Sequence, residues 1–242
     1  MSGPNQLIAE RRPDLRFGPT PVWLMFSGGK DSVAALIELQ RSDQFELVGL
    51  ITTYNQANRR IALHGTPLTL LEDQAAAFGL PLESIALPPA CSNADYEVRV
   101  ANHLNGLKEY ADPLIAFGDL FLQDIRDYRV RQCAAMGWRP LFPLWGRPTR
   151  TFAMDLITAG VRAIICCVDL QCLDASMLGR EWDQACLDDL PEGVDPAGEH
   201  GEFHTLVIDA PGMRAPLTWH STGQQFIAHQ RYCMLDLQPA RA

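Results

Sequence analysis

The sequence predicts an α/β fold: a mostly parallel sheet with helices on both faces, followed by a smaller C-terminal α/β domain. Three observations lead there. Short apolar runs alternate with helical patterns along the first half of the chain, an arrangement that implies right-handed crossovers. The segment MFSGGKDSVAAL at residues 25–36 joins a strand end to a helix through two glycines. Beyond residue 170 the texture changes to loop-rich and acidic, which places a domain boundary near residue 140.

The elements follow in order. VWLMF (22–26) is a short buried strand, and Val33, Leu36 and Ile37 fall at helical spacing behind it. LVGLITT (47–53) is a second strand. Thr66 and Pro67 then read as an N-cap with proline at the first helical position, and Gly79 stops that helix after Phe78. ESIAL (83–87) is a third strand, and Asn93 is expected to cap a helix reaching about Tyr110. LIAFG (114–118) is a fourth strand, followed by a helix that ends before Gly137. After LFPLWGRPTR (141–150) come a helix over 151–159 closed by Gly160, the strand AIICCV, the strand TLVIDAP and a long β-type segment FIAHQRYCMLDL (226–237). The expected organisation is an N-terminal arm at 1–21, a nucleotide-binding domain at 22–139 and a substrate-binding domain at 140–242.

Composition narrows the class. The 242 residues are 47% hydrophobic and 20% charged, a globular balance. No apolar run approaches the ~18 residues of a bilayer span. The first 21 residues carry charges where a signal peptide needs its apolar stretch, so a cytoplasmic location is expected. A net charge of −9 argues against nucleic acid as a partner. Nine acidic side chains between Glu181 and Asp209, with no lysine or arginine among them, equal that whole charge. Arg126, Arg129, Arg131, Arg139, Arg147 and Arg150 cluster instead, as either a solvated helix face or an anion-facing patch. The 7 cysteines form no C-x-x-C pair and are expected to be reduced, Cys166 and Cys167 as buried strand residues. Cys172, in the loop that follows, is the one thiol placed for reactivity.

The chemistry concentrates at residues 27–32. Neither G-x-x-x-x-G-K-[ST] nor G-x-G-x-x-G is present. The physics of a phosphate site nevertheless applies, because glycines permit the tight turn and the N–H groups and dipole of a helix start favour an anion. Lys30, one of only two lysines in the chain, adds a compact positive charge. Ser27 and Ser32 offer hydroxyl donors, while Asp31 suits Mg²⁺ beside phosphates. Ligands on parallel sheets bind at the carboxyl ends of strands, where Ser27, Thr52, Thr53, Gly118 and Asp119 are expected.

S-G-G-K-D-S at 27–32 resembles the SGGxDS motif of the PP-loop ATP pyrophosphatases. PLWGR (143–147), LGRE (178–181), GEHGEFHTLVIDAP (198–211), and GD (118–119) followed by RDYRVRQC resemble the diphthine–ammonia ligase family in order and spacing, from about residue 22 to 213. That resemblance implies an adenine nucleotide alpha hydrolase-like fold, and ATP and Mg²⁺ as cofactors. It implies a ligase that adenylates a carboxylate, releases pyrophosphate and forms an amide with ammonia. The acceptor it implies is a modified histidine on an elongation factor.

For the site, the resemblance implies that Ser27, Gly28, Gly29, Lys30, Asp31, Ser32, Thr52, Thr53, Gly118 and Asp119 bind the nucleotide. Lys30, Asp31, Glu199 and Glu202 are the catalytic candidates, with Asp31 the metal ligand. Glu199 and Glu202 would hold Mg²⁺, orient ammonium or take its proton, and the sequence does not choose among these roles. Arg147, Arg180 and His204 are candidates for the substrate. His200, Phe203 and His204 depart from the family's G-E-G-G-E-Y-E-T, which leaves open a small metabolite carboxylate as acceptor. A nucleotide-binding protein without turnover is the third reading. His64 reads as structural, Trp145 as packing at the domain junction, and Tyr96 and Glu97 as either lining the substrate cleft or covering a helix.

Overall fold

The computed structural model describes residues 18–107 and 113–240. The expected N-terminal arm therefore lies outside the described residues up to residue 17, and its last two residues, Thr20 and Pro21, already belong to the first strand.

Five parallel strands form the first sheet: β1 (Thr20–Met25), β2 (Phe45–Asn55), β3 (Leu82–Leu87), β4 (Leu114–Ala116) and β5 (Arg139–Leu141). Their order is β3-β2-β1-β4-β5, so the winding reverses between β1 and β4. A crevice opens outside the carboxyl ends of the strands at such a reversal. The crossovers are α1 (Lys30–Arg41), α2 (Leu68–Phe78), α3 (Asn93–Gly106) and α4 (Gln123–Met136).

Helix ends differ from expectation by a residue or two. Ser92, and not Asn93, caps α3, its side chain accepting from Asp95 N–H. Pro67 occupies the N-cap of α2, while Thr66 is buried and its hydroxyl points at Cys166 Sγ. Tyr110, the expected end of α3, lies outside the described residues. Gly79 and Gly137 close α2 and α4 in the left-handed conformation, as their sequence positions predict. β5 escaped sequence reading because RPL offers three residues, one charged and one proline. It extends the first sheet past residue 139.

The second sheet is antiparallel, in the order β7-β6-β9-β8. After α5 (Thr149–Thr158) come β6 (Arg162–Asp169), a 3-10 turn at Ala175–Met177, α6 (Gln184–Asp188), β7 (Phe203–Asp209), β8 (Trp219–Ala228) and β9 (Tyr232–Pro239). The expected long segment at 226–237 is in fact the closing end of a hairpin. His229 and Gln230 turn it with φ of 53° and 56°, a backbone that matches strand twist without the Asn-Gly signature.

One apolar cluster spans both sheets, with Leu36 and Leu39 of α1, Phe152 of α5, Ile165 of β6 and Phe203 and Val207 of β7 in the same core. The crevice at the strand reversal is thereby roofed by the second sheet. Among the described residues no helix is long and apolar enough to cross a membrane.

Candidate active site

The junction between β1 and α1 builds one wall of the site. Gly28 adopts φ +78°, which lets its carbonyl turn away from the cleft to accept from Val207 N–H (2.9 Å) and Gln74 Nε2 (2.9 Å). Gln74 is fully buried and also donates to Val207 O at 2.7 Å, so one side chain ties the glycine turn to β7. Gly29 occupies the N-cap of α1 with no side-chain cap. The first N–H groups of α1 therefore lack an intrahelical partner, the condition for an anion site. Lys30 N–H is the exception and donates to Thr205 Oγ1. Opposite, Gly118 brings the end of β4 against α1, where a Cβ would stand 2.9 Å from the Asp31 carbonyl oxygen.

These elements enclose a cleft of about 340 Å³ lined by both sheets. Ser27, Lys30, Asp31, Ser32, Thr52, Thr53, Gly118, Asp119, Glu199 and His204 all line it, whereas Gly28 and Gly29 shape the turn from behind. Ser32 Oγ donates to Gly29 O at 2.9 Å, whereas Ser27 Oγ donates to Ser32 Oγ and accepts from Gly29 N–H at 3.4 Å each, long bonds that a ligand in the cleft would readily displace.

Three carboxylates from separate segments meet here. Lys30 Nζ pairs with Asp31 Oδ2 at 2.9 Å and sits under the rings of Trp182 and Phe203, 5.7 and 5.5 Å from their centroids. Asp31 Oδ1 is buried without a partner. Burial raises the Asp31 carboxyl above its ordinary range, against the pull of Lys30. Burial also raises Asp119, opposed by Arg129 and reinforced by Asp31. Glu199 accepts from Leu120 N–H at 3.3 Å, and burial followed by the Asp31 charge pushes it up to about 8. Burial and mutual repulsion thus hold these acids toward their protonated forms, and a bound cation would relieve both.

Among the described residues no three His, Cys, Asp or Glu side chains approach closely enough to hold a metal by themselves. The unpartnered Asp31 oxygen fits Mg²⁺ all the same, since this ion keeps waters and uses one or two carboxylates together with substrate phosphates. Asp31 and Asp119 are the residues that would hold it.

Several expected site residues stand elsewhere or act differently. Glu202 is buried outside the cleft lining, its oxygens accepting from Asp195 N–H and His200 N–H at 3.0 Å each. It closes the loop that carries Glu199. Arg147 pairs with Glu38 at 3.0 Å and Arg180 with Asp189 at 2.6 Å, and neither lines the cleft. His204 does line it, packed against His64 with ring centroids 4.6 Å apart and planes tilted by 32°. Burial lowers His64 to about 4 and carries His204 well below its ordinary value, so both imidazoles are neutral near pH 7.

Other readings resolve as well. The arginine cluster disperses: Arg150 pairs with Asp188 and Arg126 stacks on Trp145, while Arg129 alone of the six enters the cleft lining. Trp145 packs against Phe142 in the cluster on the other face of the first sheet, not at the junction. Tyr96 lines the cleft and Glu97 does not. Cys172 is exposed, but slight burial and its neighbour Asp169, 3.6 Å away, raise its thiol and deny it thiolate character. Sequence reasoning missed Thr205 as a site residue and offered Arg129 only among six arginines read as a solvated face or an anion-facing patch. The phase of α4 carried a signal for Arg129, which lies ten residues after Asp119, but nothing in the pattern separated it from its neighbours.

Two family models match the chain, the Diphthamide synthase N-terminal domain over residues 21–140 and the Diphthamide synthase C-terminal domain over residues 149–238. Comparison with curated proteins finds no match.

Proposed function

The chain belongs to the diphthamide synthase family, and from that membership we propose that it is an ATP-dependent ligase of the diphthine–ammonia ligase kind. It adenylates an acceptor carboxylate, releases pyrophosphate, and then forms an amide with ammonia. The acceptor is a carboxylate-bearing modified histidine on an elongation factor. The observation that supports this most is the pairing of the open α1 N-terminus with the unpartnered Asp31 Oδ1 at the strand reversal.

In this scheme the N–H groups at the start of α1 and the Ser27 hydroxyl bind the phosphates, and Lys30 balances their charge. An acceptor oxygen attacks the α-phosphorus, the bond to the β-phosphate oxygen breaks, and pyrophosphate departs. Mg²⁺, when bound at Asp31 and Asp119, supplies charge neutralisation for the leaving pyrophosphate. Ammonia then attacks the acyl carbon and AMP leaves. The ionised fraction of Glu199, which grows as pH approaches 8, takes the proton of the incoming ammonium. His64 and His204, held neutral, line the cleft without adding positive charge that would repel ammonium.

The test is to supply ATP, Mg²⁺, ammonium and the modified elongation factor and to follow AMP, pyrophosphate and amide. All three are expected, each dependent on the acceptor. ADP in place of AMP overturns adenylation, and AMP formed with small carboxylates but not the protein reassigns the acceptor. Lys30→Ala and Asp31→Ala should each weaken nucleotide use by ~1.5–3 kcal/mol, as for hydrogen bonds to charged groups. Glu199→Gln should retain ATP and lose amide formation.

A further inference from the structure

Arg129 stands on the second turn of α4 with its guanidinium in the cleft lining, and its side chain is 24% exposed. It lies over the ring of Phe117, 4.9 Å from the centroid. Its Nε is buried without a hydrogen-bond partner. The nearest carboxylate oxygen, Asp119 Oδ2, is 4.0 Å away, too far to bond, and that oxygen is also without a partner. Tyr96 is a side-chain hydrogen-bond partner of the guanidinium and lines the same cleft. The other arginines of the cluster that pair with acids do so outside the cleft, at ordinary distances such as 3.0 Å for Arg147.

A half-buried guanidinium whose Nε lacks a partner, lying over an aromatic ring and lining a cleft, presents a fork that suits a planar carboxylate. We infer that Arg129, flanked by Tyr96, is the subsite that takes the carboxylate of the acceptor. Asp119 feels the charges of both Arg129 and Asp31, so the captured carboxylate shares one cleft with the phosphate loop, as attack on the α-phosphorus requires. The inference rests on the ligase reading for its choice of acceptor, but the subsite itself is testable without turnover.

The probe is 4-fluorobenzoate followed by ¹⁹F line broadening, with 4-fluorobenzamide as the neutral control, in the presence of Mg²⁺ and a non-hydrolysable ATP analogue. The wild type should broaden the benzoate and not the benzamide. Arg129→Gln should weaken benzoate binding at least tenfold and leave nucleotide affinity within twofold. Arg129→Lys, which keeps charge but loses the fork, should fall between them. In turnover, the same variants should raise the acceptor KM more than they lower kcat. No broadening with the wild type, or equal broadening with Arg129→Gln, overturns the subsite. Failure to form AMP with every acceptor, while benzoate binding remains dependent on Arg129, overturns the ligase reading alone.

Discussion

Lys30 N–H donates to Thr205 Oγ1 at 3.1 Å, so the first amide of α1 is satisfied from β7 of the other sheet. The same threonine offers its carbonyl to His64 Nδ1 at 3.3 Å. The phosphate loop is thus bonded to the second domain at the point where the nucleotide is proposed to bind.

Thr205→Val leaves a buried N–H unpaired in the free protein, which should cost about 1–3 kcal/mol of stability. Urea denaturation measures this, and ATP should recover part of the loss if phosphate oxygens approach the exposed amide. An unchanged midpoint would show that the bond contributes nothing.

Glu202→Ala removes the buried acceptor of two partly exposed N–H groups, those of Asp195 and His200. The expected cost is about 0.5–1.5 kcal/mol per bond, since water can reach the freed donors. Hydrogen exchange should quicken across residues 195–202, and turnover should fall through displacement of Glu199. Full stability with lost turnover would instead place the Glu202 carboxylate in the chemistry.

Gly28→Ala places a methyl group 2.5 Å from Gln74 Oε1 at φ +78°. The left-handed backbone alone costs about 1–2 kcal/mol for an L-residue. Melting temperature and ATP affinity should drop together, since the turn and the helix start move as one. A normal melt with normal affinity would contradict the turn geometry.

The pH dependence has two arms with opposite signs. His64, lowered from 6.5 to about 4, is neutral when folded, so the stability it carries above pH 6.5 is lost as pH falls toward 4. Glu199, raised from 4.5 to about 8, binds its proton more tightly when folded, so its contribution present below 4.5 is lost as pH rises toward 8. Denaturation midpoints for Glu199→Gln should fall less steeply than the wild type between pH 6.5 and 8. His64→Gln should do the same between 6.5 and 4. Parallel curves would mean that neither group is perturbed.

The glycine turn between β1 and α1 was legible because its information is local. A strand end, paired glycines, a lysine and a helix start obey backbone rules that a dozen residues state in full. The second wall was not. Whether Arg129, Arg147 or Arg180 faces the cleft depends on the rotation of α4 and the path of two loops, and each arginine looks alike in sequence. Glu199 and Glu202 share one short motif, yet loop closure turns one into the cleft and engages the other with backbone amides.

The amino-acid order by itself determined the alternation of strand and helix, the glycine turn before α1 and the kinship of the chain, since these follow from periodicity, dihedral preference and motif. Only the tertiary structure decided the charge state and partner of each acidic and basic group. Those depend on burial and on neighbours brought from the second sheet, and desolvation is a property of a packed volume that no linear spacing encodes.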